Sequence, residues 1–298
     1  MIRLAVRVRR AQAELVLAEL LQLAPAGVEE VDLGAQGVEY AVYGSPGELP
    51  ALPDLEAAVG GALVEISTSE IAEDWQERWK RFHRPALIAA PRVRAAGATS
   101  VPDLHVRPPW EAPASDAGGR VQDIVIDPGQ AFGTGAHDTT RLCLQLLLEV
   151  AALERPSGPL LDVGTGSGLL AIAGARLGFA PVLGLDHERE SVEAARDNAV
   201  RNAVTVEVRR YDLRSHPLPF LDAARDSRPP VVVVANLLRP LLHELERKML
   251  RAPAHLLAGG LLKEEVDELA AAFAGRLGMR ERERRESGDW AALWMVRA

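Results

Sequence analysis

Twenty-two positions separate Gly164 from Asp186, and the segment between them joins a glycine turn to an acid. The turn, Leu161-Asp162-Val163-Gly164-Thr165-Gly166-Ser167-Gly168, follows a short apolar run and opens a stretch with helical spacing. The acid closes the next apolar run, Gly184-Leu185-Asp186-His187. A strand, a tight loop, a helix and a second strand in this order restrict this part of the chain to a parallel α/β sheet. Glycines let a backbone approach a ligand and take dihedrals that a Cβ forbids. A carboxylate at the second strand end can accept hydrogen bonds from both hydroxyls of a ribose. The spacing therefore predicts a nucleoside site at Gly164, Gly166 and Asp186, without saying which nucleoside.

Bulk properties narrow the rest. A chain of 298 residues with 48% apolar content has room for one large domain or two. A net charge of −8 argues against holding nucleic acid by bulk electrostatics, and 4% aromatic content offers few base-stacking platforms. The single cysteine, Cys143, excludes an intramolecular disulfide and a multi-cysteine metal site, so no metal is expected. Its setting among leucines at 142, 144 and 146–148 predicts a buried helix residue, not a nucleophile. The amino terminus alternates like a strand and does not read as a signal peptide. No apolar run approaches the roughly 18–20 residues of a membrane span, so a cytoplasmic protein without membrane contact is expected.

The pattern divides the chain into three parts. Residues 1–69 read as a small β-α-β-β-α-β module, with strands at the amino terminus and near 28–33, 37–43 and 62–68, and helices near 11–24 and 52–59. That order suits a ferredoxin-like fold serving substrate recognition. Residues 70–119 read as a helical, then proline-rich connector, with Trp75 and Trp79 one helical turn apart as an interdomain staple and His83 as a packed linker residue. Residues 120–298 alternate strands and helices, and the continuous run Val231 to Val234 marks a strand covered on both faces. A doubly wound sheet is expected, with ligands at the carboxyl ends of its strands.

The glycines are ordered Gly164-x-Gly166-x-Gly168, which lacks the third glycine of a dinucleotide fingerprint and disfavours NAD. Two further segments face the same sheet edge: the glycine-rich Asp127 to Thr140, and Ala235-Asn236-Leu237-Leu238 after the valine strand. With these, the chain resembles the PrmA family, the bacterial methyltransferases of the eleventh large-subunit ribosomal protein. The stretches that carry the resemblance are DPGQAFGTGAHDTT, LDVGTGSGLLAIA, GLDHERESVEAARDNAVRNAV and VVVANLL. The resemblance implies S-adenosyl-L-methionine as cofactor. It implies lysine ε-amines and the N-terminal α-amine of that ribosomal protein as acceptors, presented by the amino-terminal domain. Another acceptor, a small amine or RNA, and a cofactor-binding protein with weak catalysis are the competing readings. A monomer without sequence-specific nucleic-acid binding is expected.

By the same resemblance, Gly164 contacts the cofactor, Asp186 holds its ribose hydroxyls and Thr140 lines it. Phe132, Gly133, Thr134 and Gly135 form a loop over the sulfonium, and Asp212 meets the adenine amino group. Asn236 lies beside the methionine end and the incoming amine, as the catalytic residue; its structural alternative is a cap on the next helix. His137 reads equally well as a first-turn helix residue. The charged run Arg280 to Glu286 reads as a solvated surface segment. One stretch departs from the family pattern of Gly-Gly, a short strand ending in Ser-Gly, and a leucine-rich helix start. Here Gly259-Gly260 runs straight into Leu261-Leu262-Lys263. About half a dozen residues, one strand's worth, are therefore expected to be missing between Gly260 and Leu261. The alternative is a rearranged sheet with Ala254 to Leu262 as its strand.

Overall fold

The computed structural model describes residues 2–13, 16–17, 20, 28–34, 37–44, 49, 63–70, 83–91, 100–114, 120–128, 137–153, 158–216, 218 and 232–298. The chain forms two compact units, Met1–Phe82 and His83–Ala298. The first carries β1 (Ile2–Val8), β2 (Glu29–Asp32), β3 (Val38–Gly44) and β4 (Leu63–Glu70) in one sheet, order β2-β3-β1-β4, every pair antiparallel. Alternation assigns its faces. Leu4, Val6, Val8, Val38 and Tyr40 pack with Val16 and Leu20, while Arg3 and Arg7 pair with Glu39 at 2.6 and 3.2 Å. The expected helix at 52–59 and the Trp75–Trp79 helix lie outside the described residues.

In the second unit the proline-rich stretch contributes two strands where the sequence reading placed a connector. β5 (Ala86–Ile88), β6 (Asp103–Arg107) and β7 (Val121–Val125) form a three-stranded sheet. Ile88, Leu104, Val106 and Ile124 bury its inner face. Asn202 stitches β7 down, with Nδ2 donating to Val125 O at 2.7 Å and Oδ1 accepting Val125 N–H at 2.9 Å.

The main sheet has β8 (Leu160–Val163), β9 (Val182–Asp186), β10 (Glu207–Arg210), β11 (Val232–Asn236), β12 (His255–Leu262), β13 (Met279–Ser287) and β14 (Trp290–Arg297). Its order is β10-β9-β8-β11-β12-β14-β13, parallel except where β14 meets β12 and β13. Among the described residues, five helices accompany it: α1 (Asp138–Leu153), α2 (Leu169–Leu177), α3 (Arg189–Arg201), α4 (Arg239–Lys248) and α5 (Val266–Leu277). One face packs Leu160, Val234, Leu257 and Trp294 beneath α1 and α2. The other packs Leu161, Val233 and Leu256 beneath α4 and α5. Strand order runs outward from β8 to β10 and then returns to β11 beside β8, so the carboxyl ends of β8 and β11 flank the switch point where such sheets bind ligands.

One expectation is corrected. No strand is missing after Gly260: the alternative, a strand over Ala254 to Leu262, is the one that forms. β12 runs unbroken from His255 to Leu262, with Asn236 opposite Gly259 and a bulge between Ala258 and Leu261. Gly259-Gly260 thus lies within the strand, at its bulge, and does not mark the start of an absent one. The charged run Arg280 to Glu286 is a surface segment as expected, and it takes the form of the edge strand β13, paired with β14 apart from a bulge between Glu281 and Glu283. Charges on an outer strand protect an otherwise sticky edge.

Gly260 has φ +79°, and a Cβ there would lie 2.4 Å from Leu237 O. Gly260→Ala is expected to destabilise the protein by roughly 1–3 kcal/mol. Gly275 inside α5 has nothing within 4 Å. Gly275→Ala is expected to stabilise by roughly 0.5–1 kcal/mol through helix propensity. Urea unfolding midpoints of the two variants should move in opposite directions.

Candidate active site

Three strand ends at the switch point each carry part of the site. β8 turns at Gly164, with φ +74°. The Gly164 and Thr165 N–H groups both donate to Leu185 O, at 2.8 and 2.9 Å, which laces the turn to β9. A Cβ at Gly164 would lie 2.3 Å from Leu237 Cδ2, so only glycine lets the turn close against the residue after β11.

Asp186 ends β9 and is 8% exposed. Its Oδ2 accepts Gly166 N–H at 2.9 Å and its Oδ1 accepts Glu188 N–H at 3.1 Å. These bonds fix the carboxylate plane and leave each oxygen acceptor capacity for one more donor. Two fixed acceptors side by side match the vicinal hydroxyls of a ribose.

Asp162 sits two residues before the turn and is wholly buried. Its Oδ2 accepts Thr165 Oγ1–H at 2.7 Å and Ala171 N–H at 3.1 Å. Burial pushes its carboxyl up to about 7, helped by the nearby Asp186 charge and opposed by the two hydrogen bonds. The sequence reading treated this acid as part of the turn and gave it no role. The available signal was a charged residue inside an otherwise apolar buried strand, which needs a compensating partner.

Asn236 ends β11 and donates Nδ2–H to Thr140 Oγ1 at 3.1 Å. It does not cap α4, whose cap position is Leu238 without a side-chain bond. Its Oδ1 is buried and has no partner among the described residues. An acceptor kept from water without a donor costs about 1–3 kcal/mol, so this oxygen has the capacity to accept an N–H from outside the chain. Gly259 explains how α1 comes close enough to supply Thr140. A Cβ there would lie 2.4 Å from Cys143 Sγ and 3.0 Å from Asn236 Oδ1. Cys143 is fully buried, and burial pushes its thiol up, so it packs and does not react.

The open cleft beside the turn is lined by Gly164, Asp186, Tyr211, Asp212, Leu213 and Leu237, among others. Asp212 therefore borders it, but its oxygens also hold their own turn through Arg214 N–H at 2.9 Å and Ser215 Oγ at 2.6 Å. Those bonds, the Ser215 hydroxyl foremost, hold its carboxyl below the usual range. Thus Gly164, Gly166, Asp186, Thr140 and Asn236 gather at the strand ends, with Asp212 on the rim. Phe132, Gly133, Thr134 and Gly135 lie outside the described residues. His137 caps α1, its Nδ1 meeting Thr139 Oγ1 at 2.9 Å and accepting Thr139 N–H at 3.3 Å. Its ring also meets Trp290 edge-on, a contact that local spacing does not reveal.

The family model described as Ribosomal protein L11 methyltransferase (PrmA) matches residues 54–298. The ribosomal protein L11 methyltransferase of Syntrophotalea carbinolica is 38% identical over 245 residues, covering 78% of this chain and 71% of its own. That of Geobacter sulfurreducens is 36% identical over 247 residues, covering 81% and 73%. A crystal structure of the ribosomal protein L11 methylase from Lactobacillus delbrueckii subsp. bulgaricus matches with a TM-score of 0.54 and 28% identity. It covers 71% of this chain and 98% of that one.

Linkage gives Asp162 a measurable sign. A carboxyl whose folded pKa is raised from 3.8 to about 7 binds its proton more tightly folded than unfolded. Its burial then costs nothing below the lower value, and the cost grows as pH rises to the upper one. Asp162→Asn keeps an oxygen for Thr165 and Ala171 and removes the ionisation. Between those pH values, wild type should lose roughly 2–4 kcal/mol relative to the variant. Urea denaturation across the range checks this, and a constant difference would show that Asp162 ionises normally.

Proposed function

The chain belongs to the ribosomal protein L11 methyltransferase (PrmA) family, and from that premise we propose that it methylates lysine ε-amines and the N-terminal α-amine of ribosomal protein L11. S-adenosyl-L-methionine is the methyl donor. The observation that carries the reading is the pairing of two differently built acceptors about one glycine turn: the fixed Asp186 carboxylate, and the buried, unpartnered Asn236 Oδ1 beside Thr140. The first suits a ribose and the second an N–H.

The residues fit the cofactor. Asp186 would hold the ribose, the cleft between Leu213 and Leu237 would take the base with Asp212 at its rim, and Thr140 and Gly164 would line the remainder. When bound, the cofactor supplies a methyl group on a positively charged sulfur that is already a good leaving group. The chain's task is alignment, which can supply many orders of magnitude in rate. It also needs a neutral amine, since a free lysine has a pKa near 10.4. Burial at the site disfavours the charged amine. Asn236 Oδ1 accepts one amine N–H and so sets the direction of the nitrogen lone pair.

In this reading the amino-terminal unit is a ferredoxin-like substrate-recognition domain, supported by its β2-β3-β1-β4 antiparallel order. The enzyme acts as a cytoplasmic monomer on a protein acceptor and makes no sequence-specific nucleic-acid contact; the net charge of −8 supports a protein over RNA. Among the described residues, no helix is long and apolar enough to cross a membrane.

Incubation with labelled cofactor, purified ribosomal protein L11 and rRNA is expected to place label in the protein, on lysine and α-amino nitrogens by peptide mass spectrometry. Label in rRNA instead would overturn the acceptor. Asn236→Ala is expected to lower kcat by about a hundredfold or more while changing cofactor affinity far less. Equal losses would reduce Asn236 to a cofactor contact.

A further inference from the structure

A second aromatic feature stands at the same strand ends. β14 opens with Trp290, which pairs with Leu262 of β12. Strand side chains alternate faces. Ala292, Trp294 and Val296 belong to the core layer beneath α1, so Trp290 emerges on that face beyond them. Asn236 lies on the same face of β11, two residues past Val234. His137 precedes Thr140 by about one helical turn and meets the Trp290 ring at 5.0 Å, with planes 70° apart.

The tip of the β13–β14 hairpin is held from two sides. Ser287 Oγ donates to Asp138 Oδ2 at 2.9 Å, and Lys263 N–H donates to Asp289 O at 3.1 Å. Trp294, 1% exposed, already closes the core of this face. Trp290 is partly exposed and is not among the residues that make up that core. A large ring held by His137, at the same strand ends as Asn236, is preorganised for contact.

We propose that Trp290 forms a wall of the acceptor entrance and packs the alkyl stem of the lysine acceptors, a contact that the N-terminal α-amine does not make. The proposal rests on the amine methyltransferase reading above. An indole face attracts an ammonium through its quadrupole, more strongly once the cation has lost water. The same broad surface packs the methylene stem of a lysine. Burial pushes the His137 imidazole below the ordinary histidine range, so this neighbour is not a fixed cation competing for the ring.

The test measures methyl transfer to recombinant ribosomal protein L11 by wild type, Trp290→Leu and Trp290→Phe, with cofactor affinity by calorimetry. Trp290→Leu is expected to raise the acceptor KM about tenfold, with the cofactor Kd changed less than about twofold. Trp290→Phe, which keeps an aromatic face, should recover most of the loss. An unchanged KM in the leucine variant would overturn the assignment. So would a cofactor Kd that weakens in step with KM, which marks Trp290 as support for the fold or the cofactor cleft. If wild type transfers no methyl to the protein at all, the acceptor reading itself fails and Trp290 loses its role with it. If wild type is active and the leucine variant matches it, only the role of Trp290 falls.

Discussion

A carboxyl group shut away from water sets the shape of the site. Asp162 binds Thr165 in the crest of the glycine turn and Ala171 in the first part of α2, so one side chain ties strand, turn and helix together. A lone carboxylate in that position would cost several kcal/mol of desolvation. The rise of its pKa to about 7 limits that cost, because near neutrality a large share of the group is uncharged. With the turn so held, Gly166 N–H is aimed at Asp186. The Asp186 carboxylate on β9 is therefore oriented by an acid on β8 that does not line the cleft.

Two glycines inside strands make this arrangement fit. A Cβ at Gly184 would lie 2.9 Å from Thr165 Oγ1, and one at Gly259 would lie 2.4 Å from Cys143 Sγ. A glycine in a strand interior weakens the strand and marks a close approach. At Gly184 the gap admits the hydroxyl that Asp162 needs. At Gly259 it admits α1, and with it Thr140, to within reach of Asn236. The unpartnered Asn236 Oδ1 is a consequence: Thr140 occupies the amide's donor side and leaves the acceptor side for a ligand.

The legible parts of this fold were those written in local sequence. The regular βα alternation, the valine strand and the spacing from Gly164 to Asp186 depend on residues near one another, and β8 through β11 came out within a few residues of the reading. What was not legible depends on register or on distant partners. Gly259-Gly260 matched the Gly-Gly that precedes a strand in the family pattern, and only the pairing of Gly259 with Asn236 and of Leu262 with Trp290 shows that they lie inside one. β13 hid because its outward residues are charged and held in ion pairs, Arg284 with Asp267 and Arg285 with Glu149, so no apolar alternation betrays it. The Thr140–Asn236 bond spans 96 positions, and spacing could not have found it; the resemblance to a family pointed to both residues but not to the bond between them.

Leu237 joins the two halves of the site. It follows Asn236, its side chain fills the space that Gly164 leaves open, and its N–H is held by Gly259 O at 3.1 Å. It also lines the cleft, which Asn236 does not. The Gly164 turn and the Asn236 amide therefore share one neighbour fixed at both backbone and side chain. Displacing Leu237 from the cleft would drag Asn236 with it, since the two are covalent neighbours in one strand end. In-line transfer depends on placement at the level of an ångström or less. Here that placement is set by contacts among β8, β11 and β12, which the fold makes before any ligand arrives.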